Sequence, residues 1–260
     1  MSVLGRLTSI FCVLGEQNKS QVLDLANDLF SASDFPPNYA VVDLADHGKQ
    51  RRVRVKEDWR DLIDLNRFDS IQIYHLDRLT KINLRDFRAT LLIRRSACES
   101  SSFDMHVFVE GEHVESSVLA IKKHFSRPGW LPARGVYGYC TSFELEDWPD
   151  AYALGVTKSN QGRVAMERNT AWLTDMNSAR LFRTSIIRDV YECNLLSQNH
   201  LDVVLKKSRL RFGDWLELAP HRGIVQTLAE QQVIWVIPPL EVGRVREELL
   251  HEGMLVFDKP

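Results

Sequence analysis

Several clusters of residues in this chain have types and spacings that could do chemistry. Gly15-Glu16-Gln17-Asn18-Lys19-Ser20 lies between an apolar run and an amphipathic stretch. A phosphate-binding loop needs that setting, because backbone amides at a helix start cradle the phosphate while Lys and Ser/Thr serve phosphate and Mg²⁺. The pattern also needs glycines where Val13 and Asn18 stand. Without them the loop cannot wrap a phosphate closely, and an ordinary helix start capped by Asn18 is the simpler reading. His106, Glu110, Glu112, His113 and Glu115 offer metal-ligating types. Their spacing matches no helical His motif, and a solvated acidic loop is the simpler reading.

Three basic runs could line a nucleic-acid groove: Arg51, Arg52, Arg54 and Lys56; Lys122 and Lys123; Lys206, Lys207, Arg209 and Arg211. None is interleaved with stacking aromatics, and Lys or Arg on a strand edge also discourages edge-to-edge pairing. No G-x-S-x-G nucleophile elbow is present, and scattered Ser, His and Asp do not define a triad. With no complete catalytic motif, the chain reads as a binding protein and not an enzyme. An unrecognised cytosolic hydrolase or a nucleic-acid-binding protein stays open as the alternative. No cofactor and no metal is expected.

One cluster suits a protein partner. Glu144, Glu146, Asp147 and Asp150 surround Trp148 at a predicted strand-to-helix corner. Acidic residues complement a helix N-terminus, which is the plain reading. Tryptophan also anchors interfaces, and clustered carboxylates attract basic partners. Glu144, Glu146, Asp147, Trp148 and Asp150 are therefore the candidate partner-binding residues.

The elements that must position these residues follow from periodicity. Ser9 to Leu14 reads as a buried strand, followed by a helix with Val22, Leu25, Ala26, Leu29 and Phe30 on one face. Tyr39–Leu44, Arg51–Lys56, Ser70–Leu76 and Thr90–Arg95 read as strands. In Phe103–Glu110, Phe103, Met105, Val107 and Val109 share one face, and Asp104, His106, Phe108 and Glu110 the other. Val114, Val118, Ile121 and Phe125 mark a helix. Gly135–Phe143 and Ser185–Tyr191 are predicted strands, and no assignment is made over 161–180. At the end come a strand Val233–Ile237 and a helix opened by Pro239 with Val242, Val245 and Leu249 inward. Gly253 ends that helix and Met254–Phe257 is a last strand.

This pattern predicts an α+β fold, with a mixed or mainly antiparallel sheet or sheets and helices packed on one face. Ser126–Ala133 holds two prolines and a glycine. It marks a boundary between halves 1–130 and 131–260, unless the chain is one continuous domain.

Bulk composition fits this reading. The chain has 260 residues, 44% hydrophobic and 26% charged, as in a globular protein. A net charge of -2 and a pI near 6.5 give no overall pull toward nucleic acid or anionic membranes. Cys12, Cys98, Cys140 and Cys193 form no CxxC pair and read as reduced, mostly buried thiols. No run of about 18 apolar residues occurs, so no membrane span is expected. The expected location is the cytoplasm.

From Asp189 onward a family likeness enters. It is carried by Asp189-Val190-Tyr191, Asn194-Leu195-Leu196, His200-Leu201, Arg222-Gly223, Leu228, Trp235, Pro238-Pro239, Val245-Arg246, Leu249 and Gly253. This third of the chain resembles the C-terminal part of bacterial polymorphic-toxin immunity proteins, most nearly the immunity protein 52 family. The resemblance implies a protein that neutralises a toxin encoded beside it. It further implies a nuclease partner delivered by a type VI or contact-dependent secretion system. The matching residues read as structural: Trp235 and Leu249 as core, Pro239 as a helix start, Gly253 as a helix end.

Overall fold

A computed structural model describes residues 4–13, 19–31, 34–44, 49–56, 58–62, 68–79, 87–95, 102–111, 114–127, 134–144, 149–153, 185–228 and 232–255. The strands are β1 (Leu4–Val13), β2 (Tyr39–Leu44), β3 (Lys49–Arg54), β4 (Phe68–Leu76) and β5 (Phe87–Arg95). They continue with β6 (Ser102–Glu110), β7 (Arg134–Glu144), β8 (Cys193–Ser197), β9 (Ile224–Thr227) and β10 (Gln232–Val236). The helices are α1 (Lys19–Ser31), α2 (Val114–Phe125), α3 (Pro149–Ala153), α4 (Gln198–Leu201), α5 (Phe212–Glu217) and α6 (Val242–Glu252).

All ten strands join one sheet in the order β3-β2-β4-β5-β6-β1-β7-β8-β10-β9. Every ladder in it is antiparallel. The fold is α+β, as the alternation of strands and helices predicts. The first strand is central: β1 pairs β6 on one side and β7 on the other. The sheet therefore runs through from the first half of the sequence into the second.

Period-2 alternation decides what each face holds. On one face Ile10, Ile71, Ile73, Leu91, Val107 and Ile234 form an aliphatic layer beneath α1 and α2. Helix α1 lays Val22, Leu25, Ala26, Leu29 and Phe30 on it, the five positions that the helical spacing singles out. Burying each large apolar side chain stabilises by about 1.5–3 kcal/mol. The split of β6 follows the predicted faces: Met105, Val107 and Val109 join this layer, and Phe108 joins the opposite one.

The opposite face is covered too. Leu7, Phe11, Phe108, Tyr137, Tyr139 and Trp235 pack there against Tyr152 of α3, Phe212 and Trp215 of α5, and Val245 and Leu249 of α6. Helices thus lie on both faces instead of the single face expected. The physical reason is that β1, β7 and β10 carry apolar or aromatic residues at both odd and even positions, so neither face can remain wet.

One expectation near the C-terminus needs correction. Ser185–Tyr191 is not a strand: it makes one isolated bridge, Ile187 to Leu255. Apart from Ile187 N–H, which donates to the Met254 carbonyl (3.0 Å), its backbone donors turn to side chains, with Arg188 N–H donating to Tyr137 Oη (2.9 Å) and Val190 N–H to Asp189 Oδ1 (2.7 Å). Of the predicted last strand Met254–Phe257, Met254 and Leu255 are buried and Leu255 makes that bridge, while 256–257 lie outside the described residues. The helix stop at Gly253 holds: its φ of 73° and ψ of 27° are left-handed, where glycine carries no Cβ penalty.

Register also brings two cysteines together. Cys140 of β7 and Cys193 of β8 are direct ladder partners, buried and unbridged. A hydrogen bond with Cys140, reinforced by burial, holds the Cys193 thiol well above its usual range.

A cleft at the end of the sheet

Beyond α2 no described helix covers the α1/α2 face, and a cleft of about 600 Å³ opens there. Its floor comes from β7, the residue before β8, β10 and β9, through Ser142, Glu192, Val236 and Ile224. Val114, Val118 and Leu119 of α2 form one wall, and Pro238 and Pro239 lie opposite. Leu119 and Ile224 are 68% and 69% exposed, an unusual state for large apolar side chains that share one concavity.

Local sequence explains the shape. Gly223 has a φ of 91°, and a Cβ there would lie 2.2 Å from the Val236 carbonyl oxygen, so only glycine lets β9 close against β10 at this point. Pro238 and Pro239 end β10 and start the turn into α6. Trp235 stands on the reverse side of β10, with its indole N–H donating to the Arg222 carbonyl (2.6 Å). Arg222 lies over the Trp215 ring (3.6 Å) and pairs with Glu248 (2.9 Å), which fixes the loop before Gly223.

Two carboxylates reach the cleft, and among the described residues no Lys, Arg or His lines it. Glu115 is exposed in the first turn of α2. Glu192 accepts from Ser142 N–H (2.5 Å) and Ser142 Oγ–H (2.9 Å). Pairing of β7 with β8 stops at Cys140–Cys193, so Glu192 satisfies a backbone donor that the ladder leaves over. Its oriented carboxylate lines the cleft, held among the described residues by neutral donors.

The other sequence candidates are dispersed. Glu144 ends β7 two residues beyond Ser142, and Asp150 is the second residue of α3. Glu146, Asp147 and Trp148 lie outside the described residues. So do Gly15–Asn18 of the phosphate-loop candidate, including the Asn18 cap, and Glu112 and His113. Lys19 and Ser20 open α1. His106 and Glu110 share a face of β6 but stand four residues, ~13 Å, apart. Glu110 is paired with Arg88 (2.6 Å), and His106 is fully buried against Phe11. No metal-binding cluster occurs among the described residues.

The basic runs do not converge. Arg51, Arg52 and Arg54 line the edge strand β3, which explains them as edge protection. Lys123 pairs with Asp28 across α1 and α2, and 206–211 form turns beyond α4.

Sequence reasoning missed a second feature, a buried guanidinium on the opposite face. Arg188 donates to Tyr139 Oη (2.9 Å), to the Ala153 carbonyl (3.1 Å) and to the Tyr152 carbonyl (2.6 Å). Asp189 beside it takes Arg246 at 2.6 Å. Burial raises the phenols of Tyr137, Tyr139, Tyr152 and Tyr191, so they meet Arg188 as neutral dipoles. The sequence signal was a charged pair inside the apolar run Ile186-Ile187-Arg188-Asp189-Val190-Tyr191. This group is sealed from solvent and positions structure.

No family model matches the chain, and no curated protein matches it. Among solved structures, a Pseudomonas aeruginosa T6SS protein, PA0821, is similar at a TM-score of 0.60 and 10% identity, with 98% of this chain and 74% of that chain covered. At that identity the likeness is one of fold. No helix among the described residues is long and apolar enough to cross a membrane.

Proposed function

We propose that this chain is an immunity protein associated with type VI secretion, acting in the cytoplasm by binding and neutralising a toxin made from a neighbouring gene. The observation that carries the reading is the fold shared with a T6SS protein over 98% of this chain. The resemblance of the last third to toxin immunity proteins supplies the specific role, and with it a nuclease as the expected toxin. In this reading the chain works as a stable scaffold with a binding surface and catalyses nothing. The acidic run from Glu144 to Asp150 remains its candidate contact segment.

Co-expression tests it. The tagged chain is produced together with the product of its adjacent gene, and growth is followed with that product alone and with both. The expected result is growth arrest by the neighbour alone, relief by this chain, and stoichiometric capture. A neighbour that is harmless and is not captured overturns the reading.

A further inference from the structure

We propose that the cleft beside α2 is the docking site for a protein segment that carries apolar side chains flanked by Lys or Arg. The inference takes the partner's identity from the immunity reading, but the site stands on its own geometry. The apolar part follows from Leu119 and Ile224, which line one concavity and are left largely in water. Covering them removes apolar surface that no described element covers.

The cationic part follows from charge. Glu115 and Glu192 are the charged lining residues among those described, and both are acidic. Glu192 is fixed in direction by two Ser142 donors, so it meets an incoming cation without further ordering. An ammonium or guanidinium gives that carboxylate a charge-assisted hydrogen bond.

The two sheet edges support the same site. β3 carries exposed Arg51, Arg52 and Arg54, whereas β9, Ile224-Val225-Gln226-Thr227, carries no charge. Edges are normally blunted by charge. The edge beside the cleft lacks that guard, and no described strand pairs with it. A nuclease, which must hold phosphates, carries cationic groups of the required kind.

The probe is a fluorescein-labelled dodecapeptide alternating Leu or Val with Lys, compared by anisotropy with an analogue carrying Glu at every Lys. The expected result is saturable binding of the Lys peptide, at least tenfold tighter than the Glu analogue. Ile224→Lys and Leu119→Lys should weaken it at least tenfold, and Glu192→Gln should erase most of the charge preference. Because Glu192 also holds Ser142, the two exposed positions keep the test independent of that side chain's structural role. Val204→Lys, at an exposed site outside the cleft, should change nothing.

No saturable binding, or equal binding by wild type and Ile224→Lys, overturns the inference whatever co-expression shows. Peptide binding through the cleft by a chain that neither captures its neighbour nor relieves toxicity keeps this site and overturns the immunity reading.

Discussion

Across the same central strands, the face under α1 and α2 is mainly aliphatic, while the opposite face stacks aromatic rings around buried charge. On the first, Ile71, Ile73, Leu91 and Val107 make contacts without direction, beside a buried guanidinium, Arg6, that donates to Ser116 Oγ (2.7 Å) and the Leu29 carbonyl (2.9 Å). On the second, Tyr139 stacks on Tyr191 at 4.0 Å between ring centroids, and Arg188 reaches two backbone carbonyls and a phenol. The aliphatic layer supplies much of the burial energy and tolerates small changes of shape. The aromatic layer adds directional bonds, which specify where the irregular 185–192 segment and α3 must sit, and those bonds fail together if one centre is lost. The cleft opens on the aliphatic face where its helices run out, so the proposed docking surface is separated from the Arg188 network.

Three measurements would break or sharpen this contrast. The largest effect is expected from Arg188→Met, which removes the donor while keeping much of the volume. It strands the Tyr152 and Ala153 carbonyls and should cost about 3–5 kcal/mol in urea unfolding. An unchanged midpoint would mean that the two faces are held together in the same way.

The second concerns acid. His106 is fully buried on the aromatic face, and neither ring nitrogen has a hydrogen-bond partner among the described residues. Burial, helped by Arg94 and Arg188, holds its pKa well below 6.5. The unfolded chain therefore takes up a proton near pH 6.5 that the folded chain refuses. Stability is full above that pH and falls as pH drops below it, by up to ~1.4 kcal/mol per pH unit. His106→Leu should flatten the thermal midpoint between pH 7 and 5; a slope equal to wild type would place the acid sensitivity elsewhere.

The smallest effect is expected on the aliphatic face. Ile71→Val removes one methylene from a fully buried site and should cost about 0.5–1.5 kcal/mol with no change in pH dependence. A loss as large as that of Arg188→Met would remove the distinction between the faces.

Much of the local architecture was legible. The five buried positions of α1, the two faces of β6, the limits of β2 and the glycine stop of α6 all follow from spacing or a single residue's backbone freedom. The segment 185–191 was misread because an apolar run resembles a strand until its backbone partners are known. The candidate site was less accessible. Glu192 stands in no motif, and Ser142 and Ile224 carry no chemical signature of their own.

What the sequence determined by itself is therefore what depends on neighbours a few residues away: helix faces, strand alternation and the chain's stops. Only the tertiary structure decided that β1 enters between β6 and β7, that both faces carry helices, and that Glu115, Ser142, Glu192 and Ile224 meet in one cleft. Strand pairing joins residues as far apart as Leu4 and Glu144 through backbone hydrogen bonds common to nearly every residue type, so no local pattern encodes the partner. The site is a product of that pairing.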